Sequence, residues 1–188
     1  MNEDGVEREL KIPVEAHDGV REALQTLGAV LTHDMARETN RLLDTDARRL
    51  GAAGCVLRLR RYGNRHVLTF KGPVHYDGAI KVRPEHELGI EDAEAMARIF
   101  EALGFAVVSA YEKDRESWQL GRVSVVLDCT PMGNFVEVEG PAERLEEAAR
   151  GLGLEPANAV QGSYVSLWRD YRAHHPELEL PADMVFEP

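Results

Sequence analysis

Charged and apolar residues alternate along this chain with a period of two, in one short segment after another. Successive side chains of a strand point to opposite faces, so the pattern assigns each residue to a side. Segments 6–12, 55–62, 66–71, 79–88, 109–118, 122–128 and 134–139 read as strands, with a weaker candidate over 30–43. In the first, Glu7, Glu9 and Lys11 share a face opposite Arg8, Leu10 and Ile12. Arg58 and Arg60 lie opposite Leu57 and Leu59, and Lys71 ends a strand backed by Leu68 and Phe70. Lys81, Arg83, Glu85 and Glu87 form one charged row, and Lys113 and Arg115 another. Asp128 ends an apolar strand, while Glu137 and Glu139 alternate with Val136 and Val138.

Helical spacing interrupts the strands over 18–27, 91–103, 141–150 and 163–173. Asp18 reads as an N-cap, Gly104 as a helix stop and Pro141 as a first-turn residue. These apolar helix stripes need a partner surface, which the apolar strand faces supply. The charged faces then turn inward. About eight strands with hairpin-like gaps predict an α+β fold, a closed eight-stranded antiparallel β-barrel with a charged interior and helices packed outside. Buried charges on this scale must pair with one another or with a highly charged ligand.

With 188 residues, 44% of them hydrophobic, one core-forming domain is expected over 1–173, followed by a tail over 174–188. That tail is expected to lie over the surface or across one mouth of the fold. The 22 basic residues against 33 acidic ones give a net charge of −11, which argues against nucleic-acid polymers and anionic membranes as partners. Met1-Asn2-Glu3-Asp4-Gly5 has no apolar run, so no secretory signal is expected, and the apolar stretches are too short to span a bilayer. Cys55 and Cys129 lack metal-ligand spacing and read as small buried hydrophobes. A cytoplasmic protein is expected. No G-x-x-x-x-G-K-[ST] loop occurs, and none of the seven histidines forms a ligand pair on a helix.

The ordered set of motifs resembles the CYTH family, the triphosphate tunnel enzymes. It comprises Glu7-Arg8-Glu9-Leu10-Lys11, Leu57-Arg58-Leu59-Arg60, Leu68-Thr69-Phe70-Lys71-Gly72-Pro73 and Arg83-Pro84-Glu85-His86-Glu87. Glu112-Lys113-Asp114-Arg115, Leu127-Asp128, the run from Gly133 to Glu139 and Gly162-Ser163-Tyr164 complete it. Among subgroups it is most similar to the class IV adenylyl cyclase-like proteins. The resemblance implies a tunnel that binds a triphosphate and a divalent metal, Mg²⁺ or Mn²⁺. Lys11, Arg58, Arg60, Lys71, Arg83, Lys113 and Arg115 would then hold the phosphates. Glu7, Glu9, Glu137 and Glu139 would hold the metal, since hard cations take oxygen ligands and the first and last strands of a barrel become neighbours. Lys71, Glu85, Glu87 and Asp128 would carry catalysis; the last three are also second choices as metal ligands and would otherwise orient arginines or a water. Many members have Tyr-Phe-Asp-Thr where this chain reads Leu42-Leu43-Asp44-Thr45, so a hydrolytic tyrosine at that place is not implied. Asp44 and Asp46 read as caps of a short helical turn.

Tyr111 is predicted to face inward beside Lys113, whereas Trp118, Trp168 and Tyr171 read as packing aromatics. Metal-dependent hydrolysis of an inorganic or organic triphosphate is the leading functional expectation. Cyclisation of ATP to cyclic AMP and pyrophosphate is the alternative, and a non-catalytic polyphosphate sensor the third. Outer strand faces left bare of helix would support a homodimer.

Overall fold

In the computed structural model, which describes residues 5–187, the period-two segments become the staves of a barrel. Strands β1 (Val6–Val14), β2 (Val30–Thr45), β3 (Val56–Tyr62), β4 (Arg65–Lys71) and β5 (His75–Asp77) come first. β6 (Ile80–Ile90), β7 (Phe105–Leu120), β8 (Val123–Thr130) and β9 (Gly133–Glu139) follow. All pair antiparallel, in the order β1-β9-β8-β7-β2-β3-β4-β6. β6 returns to β1, with Glu7 opposite Arg83 and Glu9 opposite Lys81. That closes eight strands and leaves the three-residue β5 as an addition beside β6. The reading of the first four residues falls outside the described residues.

Helices α1 (Asp18–Thr26) and α4 (Ala142–Gly151) cover one outer face. There Val20, Leu24, Leu145 and Ala149 pack on Leu10, Ile12, Trp118, Val125, Leu127, Val136 and Val138. Full burial of each large aliphatic there contributes about 1.5–3 kcal/mol. Helix α3 (Ala93–Ala102) sets Met96, Ala97 and Phe100 over Leu43, Leu57 and Leu59, leaving Ile99 and Leu103 exposed. The apolar strand faces therefore look outward, as the alternation requires.

Helix α5 (Tyr164–His174) and the tail gather Trp168 and Met184 with Tyr111, Phe135 and Tyr164 at one end of the barrel. β8 pairs with β7 only from Asp114 onward, and the tail takes the neighbouring stretch. Glu112 N donates to Met184 O (2.7 Å), and Ala110 N donates to the Asp183 carboxylate (2.8 Å).

Several local expectations shift. β2 runs sixteen residues, with register breaks that blur its period. His17 holds the N-cap position of α1, while Asp18 enters the first turn and pairs with Arg21. Pro141 caps α4 rather than opening it, since its φ of −60° and ψ of 130° are extended. Cys55 and Cys129 are half-buried, not buried, because Cys55 precedes a strand and Cys129 lies near the end of one. Asp44 caps α2 (Arg49–Ala52), accepting from Leu50 N and Gly51 N at 3.0 and 2.9 Å. Asp46, exposed in the preceding turn, shares none of these bonds.

Candidate active site

The inner faces enclose a cavity of about 640 Å³, within the usual range for small-ligand sites. Its lining holds nine Lys and Arg side chains against six Glu, in a chain whose net charge is −11. The interior thus carries the opposite sign to the molecule. Glu7, Glu9, Lys11, Arg58, Arg60, Lys71, Arg83, Glu85, Glu87, Lys113, Arg115, Glu137 and Glu139 all reach it.

β1 and β9 lie side by side, setting Glu9 opposite Glu139 and Lys11 opposite Glu137. Lys71 Nζ donates to Glu7 (2.7 Å) and stands 3.1 Å from Glu85. Lys81 Nζ donates to Glu9 (2.7 Å) and lies 3.5 Å from Glu7. Lys11 pairs with Glu137 at 3.0 Å. On the β3–β4–β6 side, Arg58 donates to Thr69 (3.2 Å) and Tyr111 (3.1 Å), and Arg58 and Arg60 converge on Glu87 at 3.4 and 3.1 Å. Arg83 turns its Nε to the Gly72 carbonyl at 2.9 Å, and burial lowers its proton affinity.

Asp128 is fully buried and does not line the cavity. It sits behind the wall, accepting from Lys113 (3.0 Å), Arg115 Nε (2.7 Å) and the Tyr164 hydroxyl (2.7 Å). Arg115 also reaches Glu137. Of the roles open to Asp128 in the sequence, the geometry matches orientation of cations. Glu38, 0% exposed, is a second such counter-ion, with Lys113 at 3.6 Å, Arg60 at 3.9 Å and Asn40 donating at 3.1 Å.

The alternation does not single out Glu38, Asn40 or Thr69, and it places Lys81 in a charged row without a role. In β2, Arg37, Thr39 and Arg41 make the outer face as polar as the inner one, so no apolar row betrays the period. Arg37 is spent outside on Asp114 and Glu112. Tyr164 arrives from a helix, where the strand period gives no signal. Its ring lies under Lys11 and Lys113, 4.1 and 4.7 Å from their Nζ atoms.

The electrostatics divide the carboxylates. Burial pushes Glu7 upward, but Lys71 and Lys81 outweigh it and hold the group well below the usual carboxylate range. Burial likewise raises Glu137, and Lys11, Lys113 and Arg115 reverse it. Glu139 behaves oppositely: burial beside Glu7, Glu85 and Glu9 pushes it up to about 7. Glu85 is also raised, by burial and the nearby Glu7, against Lys71.

Among the described residues no three His, Cys, Asp or Glu groups are preassembled as a metal cluster. The donor chemistry nonetheless fits a hard divalent cation. Four glutamates face one cavity on adjacent strands, Glu7 Oε2 is buried without a hydrogen bond, and Glu139 shows a local excess of negative charge.

Known proteins share this architecture. The CYTH domain model matches residues 5–164. A Methanocaldococcus jannaschii protein provisionally named an adenylate cyclase is 29% identical over 175 residues, spanning 86% of this chain and 98% of its own. The fold superposes on a Vibrio parahaemolyticus protein provisionally named an adenylate cyclase, with a TM-score of 0.78, 23% identity and coverage of 87% and 97% of the two chains. A Hippeastrum protein provisionally named an adenylyl cyclase, and described as having a dominant triphosphatase activity, gives a TM-score of 0.63 at 18% identity, covering 88% and 96%. Closed barrel, inward charge and family match agree: the chain belongs to the CYTH domain family.

Proposed function

We propose that this chain is a divalent-metal-dependent triphosphatase acting on an inorganic or organic triphosphate bound inside the barrel. The excess of cations lining an otherwise acidic protein carries the reading. A triphosphate brings about four negative charges near neutral pH, and Arg58, Arg60 and Arg115 offer it forked donors, while Lys11, Lys71 and Lys113 act as point charges. Every one of these cations stands within 4.0 Å of a carboxylate. Arriving phosphate would therefore exchange one anion for another, without first having to gather scattered cations.

Glu7, Glu9, Glu137 and Glu139 would hold Mg²⁺ or Mn²⁺, which when bound would neutralise charge developing on the phosphate oxygens. The chain's own groups do the rest. Lys71 and Arg58 orient the triphosphate, and Glu38 and Asp128 fix the cations that face it. Glu85, raised by burial, takes the proton of the attacking water at its carboxylate. The new P–O bond forms at the terminal phosphorus as the bridging P–O bond breaks, releasing orthophosphate and pyrophosphate. Catalysis is positioning and electrostatic stabilisation.

Adenylyl cyclisation is the second reading, favoured by the names given to the relatives. It would use the same cations, with the ribose 3′-hydroxyl attacking the α-phosphorus. A cytoplasmic setting fits two free cysteines. Orthophosphate release from tripolyphosphate, measured with Mg²⁺ and again with excess chelator, tests the leading reading. Release only with metal supports it; no release in either condition refutes it.

A further inference from the structure

Tyr111 lies on the inner face of β7 in register with Lys113 and Arg115, 7% exposed, with its ring in the cavity wall. Its hydroxyl accepts from Arg58 Nη1 at 3.1 Å. A phenol also has one proton to donate, and buried donors normally find an acceptor. Among the described residues the hydroxyl donates no hydrogen bond; its one partner is Arg58. The other tyrosine in the cavity wall differs: Tyr164 spends its hydroxyl on Asp128 at 2.7 Å.

The backbone on both sides of Tyr111 is pinned from outside. Ala110 N donates to Asp183, Glu112 N donates to Met184 O, and Met184 bridges to Tyr111 itself. Asn40 of β2 sits directly across from it. The ring itself packs in the cluster with Tyr164 and Met184, which leaves the hydroxyl on the cavity side as a neutral donor beside a guanidinium.

We propose that Tyr111 is a ligand-binding residue whose hydroxyl donates to a phosphate oxygen held by Arg58, with Asp183 and Met184 acting as positioning residues through the β7 backbone. The inference rests on the triphosphate reading of the cavity. Arg58 fixes where the anion's charge sits, and the phenol selects which oxygen faces it. Because the donor is neutral, it adds direction without further like-charge repulsion among the lysines and arginines.

Calorimetric titration of tripolyphosphate in the presence of chelator separates binding from turnover. The unaltered chain, Tyr111→Phe, Arg58→Ala and the double variant are compared, with melting temperatures as a fold check. Tyr111→Phe keeps the ring, and loss of one hydrogen bond to a charged group is expected to weaken binding roughly ten- to hundredfold. A further loss is expected when it is added to Arg58→Ala. Unchanged affinity in Tyr111→Phe overturns the proposal, as does a double variant no weaker than Arg58→Ala, which would mean that the hydroxyl acts only through the guanidinium. An unaltered chain that does not bind tripolyphosphate overturns the triphosphate reading itself. A near-ultraviolet difference spectrum of the unaltered chain gives a readout free of substitution. A red shift of tyrosine absorption on adding tripolyphosphate is expected, and its absence counts against the hydroxyl contact.

Discussion

Glu139→Gln should make the folded protein more stable at pH 8 and have only about a quarter of that effect at pH 5. Glu139 is pushed from an ordinary 4.5 to about 7 by burial next to Glu7, Glu85 and Glu9. The folded state therefore holds its proton more tightly than the unfolded chain does. Below pH 4.5 both states are protonated and the group is neutral in each. Between 4.5 and 7 the unfolded chain releases the proton while the folded one keeps it, so stability falls as pH rises; above 7 the loss is complete. Each tenfold change in proton affinity is worth about 1.4 kcal/mol, so the full loss is about 3.5 kcal/mol. Glutamine keeps the shape and removes the charge. For a chain of this size the gain corresponds to roughly 7–14 °C in melting temperature. Circular-dichroism melts of both proteins at pH 5 and pH 8 provide the assay, and titrations elsewhere cancel in the comparison. Mg²⁺ at pH 8 should narrow the gap, because it relieves the same crowding of carboxylates. Equal melting temperatures at pH 8, or the same offset at both pH values, would refute the electrostatic account.

Glu137→Gln should lower Mg²⁺-dependent turnover at least tenfold while leaving tripolyphosphate binding in chelator undiminished, since an anion has been removed from an anion site. Weaker binding without metal would contradict the carboxylate's metal role. Asp128→Asn should cost about 3–5 kcal/mol in urea unfolding, because Lys113 and Arg115 lose their buried counter-charge. A change below 1 kcal/mol would mean that the pair is solvated. Trp168→Ala should cost a similar 3–5 kcal/mol by opening the cluster around Met184 and Tyr164. An unaltered unfolding midpoint would show that this end of the barrel does not depend on α5.

The alternation in Glu7-Arg8-Glu9-Leu10-Lys11 and in Leu57-Arg58-Leu59-Arg60 exposed both the barrel and most of its lining, because one row of each strand is apolar and must face a helix. Where both rows are polar, no period marks which side chains face inward. β2 hid Glu38 and Asn40 for that reason, and its register breaks removed what period remained. Closure itself is a long-range event. Nothing local to Glu7 or Arg83 announces that they face each other across the β1–β6 seam. Asp128 reads as lining because it ends an apolar run in β8, yet cation pairing draws it behind the wall. The contribution of Tyr164 and the tail depends on how α5 docks, which helical periodicity does not specify.

Product analysis by ion-exchange chromatography separates hydrolysis from cyclisation, with tripolyphosphate and ATP offered separately, each with and without Mg²⁺ or Mn²⁺. Metal-dependent orthophosphate and pyrophosphate are expected from tripolyphosphate, and no cyclic AMP from ATP. Cyclic AMP appearing with an equal amount of pyrophosphate would contradict the triphosphatase reading.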